Sequence, residues 1–262
     1  MHAPIPLRKQ GFTYELRDFL RFLIRPRLSP RLPKPTPAHP TTINLSLGFP
    51  PDFPLVRLFQ WALALWAVNL LVMGPIALSA AKLAGVEHRM NLVAIPWLQA
   101  LLWAPVVEEL VFRYGLRQPA KALWILPFTI PALLMGPDIR AALLLGTALL
   151  LCHWLHRRTH HNPSAHWVPS FHWHKTWCRH FGWILHASCL AFAALHLYNF
   201  SLNHAPWWLL PLLVAPQWVT GLVLAWLRVR RNLTASITLH ALFNAGPLLM
   251  LYGALKLLGD KV

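Results

Sequence analysis

The chain has 262 residues, is 56% hydrophobic and only 12% charged, and carries a formal net charge of +16. That composition excludes an ordinary soluble globular domain. No basic-aromatic motif accompanies the positive charge, which argues against nucleic acid as a partner and for anionic lipid headgroups.

Residues 1–50 form a basic tail with Arg8, Lys9, Arg17, Arg21, Arg25, Arg27, Arg31 and Lys34. Within it GFTYELRDFLRFLI (11–24) places Phe12, Leu16, Phe19, Leu20 and Leu23 at helical spacing. Two readings fit: an amphipathic helix lying in the membrane interface, or a short helix packed on the membrane domain. The proline-rich stretch RPRLSPRLPKPTPAHP then reads as an extended linker.

Residues 51–262 form the membrane domain. Apolar runs predict seven spans, near 55–82, 91–114, 119–136, 140–156, 182–201, 206–228 and 233–256. Pro127 and Pro131 make the third the least regular, and Pro137-Asp138 marks a hairpin. The fold class is all-α: a polytopic helical membrane protein with about seven transmembrane helices, six to eight being compatible with the pattern. With a cytoplasmic N-terminus, only Lys82, Arg89, Arg140, Lys256 and Lys261 of the 24 Lys and Arg fall on the far side. That asymmetry predicts a multi-pass cell-membrane protein with its N-terminus inside. The three cysteines form no CxxC pair and suggest neither a disulfide framework nor a zinc knuckle.

Three patterns carry chemistry. Glu108 and Glu109 sit in VVEELVFRYGLR, and a charge within a span is a functional candidate. Glu109 shares a helical face with Arg113 at i+4 and can be neutralised by it. Glu108 points about 100° away and has no local partner, which suits a general base. The bland alternative is a structural charge cluster at a helix end. The fifth span places Phe192 and His196 at i and i+4, and the seventh places His240 and Asn244 likewise. Together these supply a base, two imidazoles and an amide able to donate to an oxyanion.

EELVFR (108–113), FAALH (192–196) and HALFN (240–244) follow the order EExxxR, FxxxH, HxxxN. In this the chain resembles the CAAX-protease and bacteriocin-processing (CPBP) family of intramembrane proteases, over roughly residues 91–256. The resemblance implies peptide-bond hydrolysis in a multi-helix membrane fold with a cavity open to the cytoplasm. It implies that Glu108 activates water, that His196 helps to orient it, and that His240 and Asn244 stabilise the oxyanion. Glu109 and Arg113 would hold the first motif in shape. It implies no required cofactor, although two histidines and a glutamate could take a divalent metal such as zinc. The implied partners are a membrane-associated protein or peptide substrate and the lipid bilayer.

The sequence departs from the family in two places. Tyr114 stands between Arg113 and Gly115, where the family has glycine directly after the arginine. An insertion at about 119–181 separates the first two motifs, and its two extra spans preserve the parity that lets the second and fifth spans lie side by side. The insertion also supports a rival. His156, His160 and His161 read HxxxHH, and nine histidines lie between 153 and 186. This resembles one histidine box of membrane hydroxylases and desaturases, since imidazole suits iron, zinc and copper alike. The alternatives to a protease are therefore a His-rich metal-binding or di-iron protein, or a non-catalytic scaffold or immunity-type protein.

Overall fold

The computed structural model describes residues 11–28, 54–89, 95–161, 171–202 and 205–259. Helix α1 is Phe12–Ile24. The first membrane segment is α2 (Leu55–Val68), a π-helical turn (Asn69–Met73) and α3 (Gly74–Ala84). A π-helical turn (Gln99–Trp103) then leads into α4 (Ala104–Phe112). A short α5 (Tyr114–Arg117) leads into α6 (Pro119–Met135) and α7 (Ile139–His161). Then come α8 (Phe171–Leu195), α9 (Leu210–Leu213), α10 (Ala215–Arg230) and α11 (Leu233–Gly259). The protein is a polytopic helical membrane protein.

Segments Leu55–Ala84, His172–Asn199 and Leu233–Leu257 are each long and apolar enough to cross a bilayer. A fourth, Trp207–Leu213 with Ala215–Arg230, is bent by 50°. The bend falls at Val214, just before Pro216, which removes an amide from the ladder. Pro119–Met135 and Ile139–Leu155 are shorter apolar helices.

The bundle is apolar outside and charged inside. Leu71, Leu83, Leu123, Leu134, Leu143, Leu150 and Met250 are exposed, while Glu108, Glu109, Arg113 and Arg228 are buried. That inversion suits lipid as the surrounding solvent, because intramembrane charges face the bundle interior. Exposed Trp183 and Tyr198 lie 15 residues apart on α8 and its extension. At 1.5 Å per residue they are about 22 Å apart, a spacing compatible with aromatic belts at the two membrane interfaces.

Pro75 and Pro105 each follow a π-helical turn by two residues. Proline has no N–H and its ring crowds the carbonyl four residues back, so a wider turn absorbs the misfit. At the first such turn a Cβ on Gly74 would lie 2.6 Å from the Asn69 carbonyl oxygen, which only glycine avoids. Helix α6 continues through both Pro127 and Pro131. They stand at i and i+4, so the missing amides fall on one side of the helix. The hairpin at 136–138 forms as expected. Gly136 takes φ +75°, and Asp138 accepts the Ala141 N–H at 2.7 Å to cap α7.

Helix α1 packs against the bundle. Phe19 and Phe22 are buried in the main core with Trp61, Phe181 and Trp226. The Trp61 indole N–H donates to Glu15 at 3.1 Å, and Arg231 donates to the same carboxylate at 3.2 Å. Asp18 accepts from Trp226 at 2.8 Å and from Arg230 at 2.7 and 3.3 Å.

The insertion forms the α6–α7 hairpin, joined to α4 through Leu110, Tyr114, Ala122, Ile125, Ala148 and Cys152. It leaves α4 and α8 in contact, with Ser188 donating to the carbonyl of Phe112. The described part of the histidine-rich stretch is the end of α7 and the start of α8. His166 and the side chains of His156, His160 and His161 lie outside the described residues. Among the described residues, no three His, Cys, Asp or Glu side chains are arranged to hold a metal ion.

Candidate active site

The first motif lies on the last turns of α4. Pro105 starts the helix, and a break at Arg113 (φ −120°, ψ −24°) ends it before α5 resumes. A break inside a membrane bundle leaves carbonyls that need donors. Arg228 on α10 adds a second donor to two of them, with Nε to the Arg113 carbonyl at 3.2 Å and a terminal nitrogen to the Tyr114 carbonyl at 3.1 Å, beside the Leu116 and Gln118 N–H groups. Ser188 serves Phe112 in the same way. The kink is thus clamped from both neighbouring helices. The extra residue at Tyr114 leaves close packing in place, since a Cβ on Gly115 would stand 3.2 Å from that of Ala122.

Glu109 is fully buried and saturated. Arg113 Nη1 donates to its Oε1 at 2.9 Å. The Ser236 hydroxyl lies between its Oε2 and the Leu224 carbonyl. His240 Nδ1 approaches Oε1 at 3.1 Å. The arginine is also fully buried, with its guanidinium carbon 3.8 Å from the centre of the Phe192 ring. Cation–π contact and one charge-assisted bond hold it. Gly221 on α10 makes this stack possible, because a Cβ there would lie 3.1 Å from Phe192 and 3.3 Å from an Arg113 nitrogen.

Glu108 is buried without such support. Its Oε2 has no hydrogen-bond partner, and His240 Nε2 stands 3.7 Å from it. That gap is too long for a direct hydrogen bond and invites a bridging water. Because Nδ1 is engaged by Glu109, the His240 ring presents Nε2 to Glu108.

His196 begins the 3-10 turn that ends α8. Its Nδ1 donates to the Phe192 carbonyl at 2.9 Å, which leaves Nε2 as an acceptor in the neutral ring. Phe192 touches both histidines edge-on, with ring centres 4.9 Å from His196 and 5.7 Å from His240. Asn244, one turn beyond His240, donates from Nδ2 to the Ala100 carbonyl at 2.8 Å. Its second N–H makes no hydrogen bond among the described residues.

The motif residues on α4, α8 and α11 therefore meet. Glu109, Arg113 and His240 share one hydrogen-bonded cluster, Glu108 faces His240, His196 joins through Phe192, and Asn244 is turned toward the π-helical turn that precedes α4. Sequence reasoning missed Ser236, Gly221 and Arg228, whose roles arise only from packing between helices. Ser236 had one visible signal, since it precedes His240 by four residues and so shares its face.

No curated protein and no solved structure matches the chain. One family model does match: type II CAAX prenyl endopeptidase Rce1-like, over residues 90–246. That stretch covers more than half of the sequence and contains all three motifs. The chain belongs to this Rce1-like family of CAAX-type membrane proteases.

Proposed function

We propose that the chain is an intramembrane endopeptidase that cuts a membrane-associated or lipidated protein, using a water activated by Glu108. One observation carries this reading: the bare, buried Glu108 oxygen lies 3.7 Å from a histidine whose other nitrogen is fixed by Glu109.

The roles follow from hydrogen-bond capacity. A water between Glu108 and the histidines gives one proton to the Glu108 carboxylate, while neutral His196 accepts its other hydrogen at Nε2. The resulting hydroxide adds to the substrate carbonyl carbon, and the carbonyl oxygen becomes an oxyanion. His240, when Nε2 carries a proton, and the second N–H of Asn244 donate to that oxyanion. The proton held on Glu108 then passes to the leaving amine as the C–N bond breaks. Glu109, Arg113 and Ser236 hold His240 and the motif helix in place. The N-terminus and the mouth of the site would face the cytoplasm, as the basic residues suggest.

The test is cleavage of a lipidated reporter peptide by detergent-purified protein, with wild type beside Glu108→Gln and with chelator added. Cleavage that depends on Glu108 and survives metal removal is expected. Chelator-sensitive cleavage restored by zinc would replace the glutamate-water reading. Full activity in Glu108→Gln would end it.

A further inference from the structure

The outer face of α1 has no role in the site described above. Leu16, Leu20 and Ile24 recur at i, i+4 and i+8 and are exposed. Arg17, Arg21, Arg25 and Arg27 are exposed as well. Where α1 ends, a cleft of ≈ 540 Å³ opens against the end of α10, lined by Asp18, Arg21, Phe22, Arg25, Arg27 and Arg230, with Ile24 at its edge.

The charge in this cleft is unbalanced. Its one carboxylate, Asp18, is saturated by Arg230 at 2.7 and 3.3 Å and by the Trp226 indole at 2.8 Å. Arg230 is consumed by that pair and by the Phe22 ring, 5.3 Å away. Arg21, Arg25 and Arg27 are left facing the cleft without an acidic partner among the described residues. The cleft is also fixed in place. Phe22 is buried in the core, and Pro26 sits over α8 where a Cβ on Gly182 would lie 3.8 Å from its ring.

We propose that this cleft binds the phosphate of an anionic membrane lipid. Three arginines present the donors that a phosphate oxygen cluster requires. The adjoining Leu20 and Ile24 side chains supply an apolar flank for the acyl chains. A basic pocket beside transmembrane helices is a physically suitable headgroup site, because each arginine adds attraction to an anionic leaflet. The acyl chains distinguish this ligand from a free phosphate.

The experiment is native mass spectrometry of the full-length protein in mild detergent, titrated with phosphatidylglycerol and, separately, with phosphatidylcholine. One phosphatidylglycerol retained saturably per chain is expected, with weaker retention of phosphatidylcholine. Arg21→Gln/Arg25→Gln/Arg27→Gln should lower the affinity by on the order of 100-fold, roughly fivefold for each arginine. The equal-charge control Arg157→Gln/Lys175→Gln/Arg179→Gln alters exposed residues outside the cleft and should keep the bound lipid. Equal retention of the two lipids by wild type overturns the proposal, and that measurement needs no variant. Loss of the lipid in the control variant points to diffuse surface charge and overturns it as well. Displacement of the lipid by equimolar inorganic phosphate means a free-anion site, which is a different ligand from the one proposed.

Discussion

Asn244 reaches the carbonyl of Ala100, 2.8 Å away, because Pro105 has left that carbonyl without a partner. In a regular α-helix the Ala100 oxygen would accept from the Ala104 N–H. In the π-helical turn that N–H goes to Gln99 instead. The next residue able to serve Ala100 is Pro105, which has no N–H. A sequence feature three residues before Glu108 thus fixes the orientation of an amide on α11.

Replacing Pro105 with alanine tests this coupling. Pro105→Ala allows the α-ladder to close on Ala100 and frees the Asn244 amide to turn. Peptidase activity should fall about tenfold, mainly in kcat, at little cost in stability. Asn244→Ala removes the donor outright and should cost about 10²–10³ in kcat if the amide serves the oxyanion. Reporter-peptide kinetics on both variants decide the matter. An unchanged kcat in Asn244→Ala removes this residue from the mechanism.

The two adjacent glutamates should separate cleanly on substitution. Glu108→Gln keeps the shape of a side chain that makes no hydrogen bond at Oε2, so the thermal midpoint should stay close to that of wild type. Cleavage should drop about 10²–10⁴-fold with the loss of a general base. Glu109→Gln does the reverse to stability. It leaves the Arg113 guanidinium buried beside a neutral amide, and breaking a buried pair costs about 3–5 kcal/mol. Thermal melts run beside activity assays check both. A Glu109→Gln protein as stable as wild type contradicts the structural role given to that carboxylate.

Gly246 marks a close approach of α11 to α2. A Cβ on Gly246 would lie 2.4 Å from the Trp66 ring, whose N–H donates to the Phe243 carbonyl at 2.9 Å. Gly246→Ala must displace the indole and break that bond, at about 1–3 kcal/mol for the overpacking. Phenylalanine lacks the indole atoms that clash, so Trp66→Phe in the same chain should recover part of the loss. Denaturation of the single and double variants measures the coupling, and additive losses would mean the two residues do not meet.

Much of this was legible in the sequence, and the remainder has identifiable causes. The long segments Leu55–Ala84, His172–Asn199 and Leu233–Leu257 and the bent pair Trp207–Leu213 with Ala215–Arg230 follow from apolar run length, which the bilayer imposes directly. Grouping of Glu109 with Arg113 follows from i, i+4 spacing on one helix. Pairing between helices is different: Ser236 beside Glu109 and Arg228 beneath the break at Arg113 depend on how α4, α10 and α11 pack, and no local period encodes that. A proline signal alone does not say whether a helix continues, as α6 does through Pro127 and Pro131. The two readings of α1 could not be separated in sequence, because an apolar stripe suits a protein surface as well as a membrane. Glu15 and Asp18 on that helix were the missing cue, being acids that find buried partners on α2 and α10 and in the turn before α11.

Those acids yield the last prediction. Glu15 is buried, accepting from Trp61 at 3.1 Å and Arg231 at 3.2 Å. Arg231 precedes α11, the helix that carries Ser236, His240 and Asn244. Glu15→Ala takes away the carboxylate that Arg231 and Trp61 share, and losing one partner of a buried pair costs about 3–5 kcal/mol. The thermal midpoint should fall, and activity should fall with it as the start of α11 loosens. Removing Arg17, an exposed residue on the same helix, should change neither. A Glu15→Ala protein with wild-type melting would mean that α1 rests on the bundle without supporting it.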